Sequence, residues 1–153
     1  MGFIYNPSKA TSGSTPEEIQ TISQQTSIEE IVKKMSETYV AASELSADSI
    51  VYINDDNKVD VMSCANVDLK GKVCGIVLSS ANIDEEVDVY MSGEVTLSSP
   101  VLPNKKILVG KNGEIVTDIN VLKSDADVKF FQIFGRSIKS DKIVIDIKPA
   151  VWK

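Results

Sequence analysis

The strongest turn signal of the chain lies in residues 107–116, Ile-Leu-Val-Gly-Lys-Asn-Gly-Glu-Ile-Val. Aliphatic and β-branched residues stand on both sides of Gly110-Lys111-Asn112-Gly113 and favour strands. The Asn-Gly pair between them supplies the positive φ angles that a tight hairpin requires. The stretch therefore predicts an antiparallel hairpin, and the neighbouring sequence extends the same β pattern.

A second hairpin is predicted before this one. Ile50 to Ile53 and Val59 to Met62 flank Asn54-Asp55-Asp56-Asn57, whose side chains favour turns and tolerate left-handed backbone. Val73 to Leu78 is a continuous apolar run, which is typical of a buried strand. These segments are too short for helices of ordinary length, so they favour a fold built from short strands.

Three further strands are predicted. Val87, Val89 and Met91 alternate with polar residues, which predicts one buried face, and Gly93 then breaks the strand. The last two strands are expected at residues 128–134 and 142–147, and Pro149 prevents the final strand from continuing.

The predicted fold is mainly β. Helical periodicity does not return after Val40, and no exact internal repeat of repeat-protein length is visible. Residues 40–153 are therefore expected to form an antiparallel β-barrel or sandwich, preceded by a short N-terminal helical segment.

That helical segment is predicted at residues 15–39. Capping boxes at Thr15-Pro16-Glu17-Glu18 and Ser27-Ile28-Glu29-Glu30 favour either one helix with a weak middle or two short ones. An apolar stripe with helical spacing is formed by Ile28, Ile31, Val32, Met35 and Tyr39. The stripe packs either on the chain's own sheet or in a short coiled coil with other copies. In the second case Ile28, Ile31, Val32 and Met35 would form the oligomer seam.

Residues 1–14 are predicted to be an extended anchor segment. A polar stretch at residues 8–14 separates the apolar trio Phe3, Ile4 and Tyr5 from the rest of the chain. The trio is either an anchor, a tail that folds back on its own domain, or a disordered end. No stretch has the length or pattern of a signal peptide or of a membrane span, so no membrane partner is expected.

Charge and cysteine content narrow the possible partners. The 153 residues carry 22 acidic and 16 basic side chains, and Arg136 is the only arginine. The resulting net charge of −6 opposes binding to nucleic acid. Cys64 and Cys74 lack the spacing of a redox or zinc motif and are expected to be buried free thiols rather than a disulfide. This favours assembly in a reducing cytoplasm.

The residue types argue against catalysis. The chain contains no histidine, which removes the Ser-His-Asp and Cys-His systems and most zinc sites. Two acidic clusters, residues 55–60 and residues 84–88, lack the pattern of a calcium loop and are interpreted as solvated turns. The glycines form no phosphate-binding loop. We therefore predict no enzyme activity, no catalytic residue, no metal and no cofactor.

Aromatic residues offer one other kind of site. Tyr52, Tyr90 and Trp152 could line a sugar-binding surface, although 6% aromatic content favours duties in the core and at interfaces. Trp152, next to the last residue of the sequence, is the aromatic side chain most suited to docking on a neighbouring surface.

Several segments together resemble a known family. They are Ala41-Ala42, Leu45-Ser46-Ala47, Ser49 to Ile53, Gly75-Ile76-Val77-Leu78, residues 85–95, and Ile133-Phe134-Gly135-Arg136-Ser137-Ile138. In this order they resemble the β-domain of bacteriophage head-fibre and capsid-decoration proteins, over residues 40–148. The sequence departs from the family at Asp48, where members commonly have a glycine.

The resemblance implies a homotrimeric β-barrel or sandwich on the exterior of a virion assembled in the bacterial cytoplasm. Its partners would be other copies of itself and the major capsid protein or another virion protein, and it carries no catalytic residues. Phe3, Ile4 and Tyr5 would then be the capsid anchor. The alternative is a fibre module that binds a receptor or glycan on the host surface.

Overall fold

A computed structural model describes residues 36–153 of the protein. This part of the chain is mainly β and antiparallel, as the sequence predicts. The first sheet has five strands, β1 (Ser36–Val40), β2 (Ser49–Ile53), β3 (Val59–Val61), β4 (Val73–Val77) and β5 (Glu86–Tyr90). Their order in the sheet is β1-β5-β4-β2-β3, and a 3-10 turn at Val67–Leu69 connects β3 to β4.

The second sheet is formed by later residues. Its strands are β6 (Gly93–Thr96), β7 (Lys106–Val109), β8 (Ile115–Val116), β10 (Ile133–Ser137) and β11 (Lys142–Ile145), and a short helix α1 (Ile119–Lys123) follows β8. Their order is β6-β11-β10-β7-β8. A separate pair joins β9 (Phe130–Phe131) to β12 (Val151–Trp152).

The two sheets have the same topology. In each, the first strand pairs with the fifth, the fifth with the fourth, the fourth with the second, and the second with the third. In each, a short helical turn separates the third strand from the fourth. We call residues 36–90 the first repeat and residues 93–145 the second repeat.

Matching details of the backbone support this correspondence. The loops Asn54–Lys58 and Gly110–Glu114 are each closed by a bond from the first residue's N–H to the last residue's carbonyl, at 2.8 and 2.9 Å. Asn57 and Gly113 occupy the same place in these loops and have φ angles of 60° and 73°. The repeat was not predicted from the sequence because the two halves share apolar alternation and turn geometry rather than identical residues.

The starts of the second strands also correspond. Asp48 and Asn104 precede β2 and β7, and both have positive φ angles, 66° and 58°. Their N–H groups donate to the carbonyls of Val77 and Ser137, which end β4 and β10. The register therefore matches residue by residue along the central strands of the two sheets.

The two repeats are stacked, with the main apolar core between them. The first sheet contributes Ile50 and Ile76, and the second contributes Ile107, Phe134 and Ile143, all fully buried. Side chains alternate across a strand, so neighbours of these residues point to the opposite faces. The first sheet is therefore apolar on both sides, as the continuous run at β4 predicts.

A smaller core covers the outer face of the first sheet. Val51, Val77 and Val89 are fully buried there, beneath a segment that includes Leu45 and Ala81. Leu45 and Ala81 form a backbone bridge that holds this covering segment together. The outer face of the second sheet has no such cover within residues 36–153.

One loop links the repeats through backbone hydrogen bonds. The carbonyl of Gly113 accepts from the N–H of Ile50 at 2.8 Å, and the carbonyl of Gly110 accepts from the N–H of Cys64 at 3.1 Å. A Cβ on Gly113 would lie 2.7 Å from the carbonyl oxygen of Ile50 and 2.9 Å from Cγ1 of Val61. Gly113 is thus required both by its φ angle and by this close approach.

Several predictions about single elements are confirmed. Both hairpins form, with Ile53 opposite Val59 and Val109 opposite Ile115. The turn at Asn112-Gly113 is longer than expected, because only Gly113 has a positive φ and the loop spans Gly110–Glu114. Gly93 does interrupt the chain, which there passes from the first sheet to the second.

Other predictions are wrong. Residues 128–134 are not one strand, because β9 pairs with β12 and β10 continues to Ser137 in the second sheet. Helix α1, capped by the Asp118 carboxylate on the N–H of Asn120, was missed because five residues are too few to show helical periodicity.

The predicted helical segment also ends too late. Residues 36–39 belong to β1, which pairs with β5, because pairing satisfies their backbone along the edge of the sheet. Tyr39 is therefore not part of a helical stripe.

The cysteines are free, as predicted. Cys64 is fully buried in the main core, and Cys74 is half-buried against the smaller core. Burial raises the pKa of the Cys64 thiol to about 11 and also raises the pKa of Cys74. A neutral, enclosed thiol is a poor nucleophile.

We expect Gly113→Ala to destabilise the protein by about 3 kcal/mol, since it combines positive-φ strain with a clash against Ile50. Gly71→Ala is the matched control, because Gly71 has a φ of 78° but no atom within 4 Å of an added Cβ. The control should cost about 1 kcal/mol. Chemical denaturation of both variants measures the difference, and equal losses would show that the loop contact contributes nothing.

We expect stability to depend on Cys64 at alkaline pH. The unfolded thiol ionises near 9.0 and the folded thiol near 11, so its stabilising effect is complete below pH 9 and is lost as the pH rises towards 11. The loss should approach about 1.4 kcal/mol per pH unit. Urea unfolding of the wild type and of Cys64→Ala from pH 8 to 11 tests this, and parallel curves would contradict it.

Candidate docking groove

A concave surface lies on the outer face of the second sheet. It is a groove of about 610 Å³ lined by Asn104, Lys105, Lys106, Leu108, Thr117, Ile119, Phe131, Ile133, Arg136, Pro149 and Val151. A second depression of about 440 Å³ continues along the same face and shares Lys106, Ile133 and Arg136 with the first.

The floor of the groove is apolar. Leu108 is almost fully buried, whereas Ile133 and Phe131 are half-buried and pack against the main core from outside. Val151, on β12, is 63% exposed at one wall. A floor of this kind gains free energy when another molecule covers it.

The rim is cationic. Lys105, Lys106, Arg136 and Lys148 line the two depressions, and Asp146 is the one acidic residue among their lining side chains. Asp146 is already paired, since its Oδ2 lies 2.8 Å from Nζ of Lys148. In a chain with net charge −6, this face is therefore a local concentration of positive charge.

Two of these cations are placed directly opposite each other. Arg136 on β10 and Lys106 on β7 are cross-strand partners. Like charges in this position repel, and neither residue has a carboxylate oxygen within 4.0 Å among the described residues. An anionic partner would relieve this repulsion.

The repeat explains how the sequence produces the groove. Lys106 and Arg136 correspond to Ile50 and Ile76 of the first repeat, as the pairs Lys106–Arg136 and Ile50–Ile76 show. The isoleucines are fully buried under the second repeat, whereas the two cations are exposed. The same face is thus an internal interface in one repeat and an open surface in the other.

The chemistry of the groove is that of a binding surface. Its lining residues include no cysteine, and the one carboxylate, Asp146, is held by Lys148. Across residues 36–153 no group of three His, Cys, Asp or Glu side chains is arranged to hold a metal. Lysine and arginine around an apolar floor select a ligand that is acidic at its edge and apolar at its centre.

The residues predicted to act as anchor and seam are not part of this surface. Phe3, Ile4 and Tyr5 lie outside the described residues. The same is true of the four seam residues, Ile28, Ile31, Val32 and Met35.

The aromatic residues considered for sugar binding have other contacts. Tyr52 and Tyr90 are half-buried and pack against the main core, and burial raises the pKa of the Tyr52 hydroxyl. Trp152 is 59% exposed, but Nζ of Lys70 lies 4.6 Å from its ring centroid, so it docks on its own chain.

The two acidic clusters are only partly turns, because Asp60 lies in β3 and Asp88 lies in β5. Glu85 accepts from the N–H of Asn82 at 2.7 Å, and Asp88 accepts from the hydroxyl of Thr38 at 2.7 Å. Asp60 accepts from Ser43 at 2.6 Å. Asp55 and Asp56 remain exposed at the tip of the β2–β3 hairpin.

Asp48 has a structural role. It is the position at which the sequence departs from the family that it resembles. Its carboxylate accepts from the N–H groups of Ser98 and Ser99 at 3.0 and 2.9 Å. The side chain thereby connects the start of β2 to the segment between β6 and β7.

Sequence reasoning missed the groove. The available signals were the Lys105-Lys106 pair and the single arginine in an acidic chain. Neither indicated that β7 and β10 would be neighbours, because that pairing is set by the register of the second sheet.

No helix among the described residues is long and apolar enough to span a membrane.

Comparison with known proteins gives a match among solved structures. No protein-family model matches the chain, and no curated protein is detectably similar in sequence. The solved structure of the head fibre gp8.5 N base of bacteriophage phi29 is similar with a TM-score of 0.43 and 16% sequence identity. The likeness covers 72% of this chain and 92% of that one.

Proposed function

We propose that the protein is a non-enzymatic structural protein of a bacteriophage particle, a homotrimeric head-fibre or capsid-decoration protein. Residues 1–14 attach it to the shell through Phe3, Ile4 and Tyr5. Residues 15–35 connect the attachment to the β-domain, which is carried on the outside of the particle.

The observation that carries the proposal is the backbone at Asp48. The family that the sequence resembles commonly has a glycine there, before the first long strand. Asp48 adopts a φ of 66°, a region that glycine occupies without strain. Asp48 therefore holds a backbone conformation that a glycine at the same position would adopt without strain.

The chemistry of the domain supports a structural role. The chain has no histidine, and the groove offers charge and apolar surface rather than a nucleophile and a base. Both thiols are free, and Cys64 is fully buried, which suits assembly in the host cytoplasm. A surface of this kind fits a protein whose task is to contact other protein chains.

We expect the triple variant Phe3→Ser, Ile4→Ser, Tyr5→Ser to be lost from purified particles, because it removes the apolar contacts of the anchor. The measurement is the copy number per particle by quantitative mass spectrometry after density-gradient purification. The matched control changes three polar residues of the same segment, Ser8→Ala, Thr11→Ala and Ser12→Ala, and should leave the copy number unchanged. Unchanged copy number in the apolar variant would show that the anchor lies elsewhere.

A further inference from the structure

We propose that the groove on the second repeat is a socket for the Asn54–Lys58 loop of a second copy of this chain. The inference deepens the proposed function, because it specifies a contact by which copies assemble. It follows from the internal repeat together with the charges at the two surfaces.

One loop contact of this kind already exists inside a single chain. The Gly110–Glu114 loop of the second repeat docks on the first repeat beside Ile50 and Val61. The first repeat thus has a socket, and the second repeat fills it.

The second repeat has residues that correspond to this contact. Lys106 and Thr117 correspond to Ile50 and Val61, counting from the equivalent hairpin pairs Ile53–Val59 and Val109–Ile115. Both Lys106 and Thr117 line the groove. The groove is therefore the second repeat's own socket, and nothing among residues 36–153 fills it.

The first repeat carries a loop that matches this socket. The counterpart of the docked loop is the Asn54–Lys58 loop, which has the same length, the same closing hydrogen bond and the same positive-φ position. Its tip residues, Asp55, Asp56 and Asn57, are exposed. Each copy therefore has one empty socket and one undocked loop of the matching shape.

Charge complementarity matches the two surfaces. Asp55 and Asp56 make no ion pair with any described residue, and the socket presents Lys105, Lys106 and Arg136. Docking would place two carboxylates against three cations and would separate the charges of Arg136 and Lys106 by an anion. Such complementarity directs one partner surface to one orientation.

Asn57 makes the contact between copies different from the loop contact within a single chain. Asn57 stands where the docked loop has Gly113, and a Cβ on Gly113 would lie 2.7 Å from the Ile50 oxygen. The loop of the second copy must therefore sit slightly further from the strand. The long lysine side chains span that extra distance, so charged side chains take the place of the direct backbone bond.

The contact joins different surfaces of the two copies, since the loop belongs to the first repeat and the socket to the second. Such a head-to-tail interface closes into a ring when its rotation permits. A ring of three copies satisfies every socket and every loop, in agreement with the trimer of the proposed function.

Charge reversal tests the contact in the full-length protein. Two double variants should each convert the oligomer to single chains at about 10 μM, weakening association roughly tenfold or more. One variant combines Asp55→Lys with Asp56→Lys, and the other combines Lys105→Glu with Lys106→Glu. Combining all four substitutions should restore the oligomer. The measurement is mass by light scattering, with circular dichroism and thermal unfolding to verify folding.

The matched control is Asp68→Lys with Asp141→Lys, which makes the same change in net charge as the Asp55 and Asp56 substitutions, at two exposed positions outside both surfaces. It should leave the mass unchanged. Reversal variants that remain oligomeric would overturn the inference and leave the particle assignment intact, since that assignment is tested on particles. A wild type that stays at the mass of one chain would overturn both the contact and the trimer.

Cross-linking gives a second measurement that does not depend on reversed charges. Asn57→Cys with Thr117→Cys should yield disulfide-linked oligomers, because the intrachain counterpart places a Gly113 Cβ 2.9 Å from Val61. Asn82→Cys with Thr117→Cys is the control, since Asn82 is exposed and outside the loop. Cross-linking only in the control pair, or in neither pair, would contradict the docking.

Discussion

The apolar contact between the two sheets is the interaction on which the rest of the structure depends. The first sheet is hydrophobic on both faces, and one of these faces is buried only because the second repeat packs on it. Ile50 and Ile76 meet Phe134 and Ile143 in this core, and the Gly113 loop adds backbone hydrogen bonds at its edge. Since most of the driving force for folding comes from such burial, neither repeat would be expected to be stable alone.

Stacking two copies of one topology leaves unlike surfaces at the two ends. The outer face of the first sheet is covered by the chain's own segment around Leu45 and Ala81. The outer face of the second sheet carries Lys106 and Arg136 where the first has buried isoleucines. The charges on the outer face of the second sheet keep this face soluble, as terminal units of stacked repeats require. The same charges give this face a preference for acidic partners.

This arrangement connects the fold to the proposed role in a particle. A structural protein needs surfaces that bind other chains rather than groups that perform chemistry. A domain built from stacked repeats provides such surfaces at its ends, because each end repeats part of an interface that already exists inside the molecule. The exposed Asp55-Asp56 loop and the cationic groove are then two halves of one contact.

The sequence by itself determined the β class, both hairpins, the buried strand β4 and the free thiols, because each depends on local turn chemistry or on apolar patterning. It did not determine the division of residues 128–137 between two pairings, the end of β1, or the repeat. Only the tertiary structure made neighbours of Lys106 and Arg136, because strands distant in sequence pair by register and not by local preference. The groove exists for that reason: alternation fixes which side chains share a face, and only packing decides which face stays uncovered.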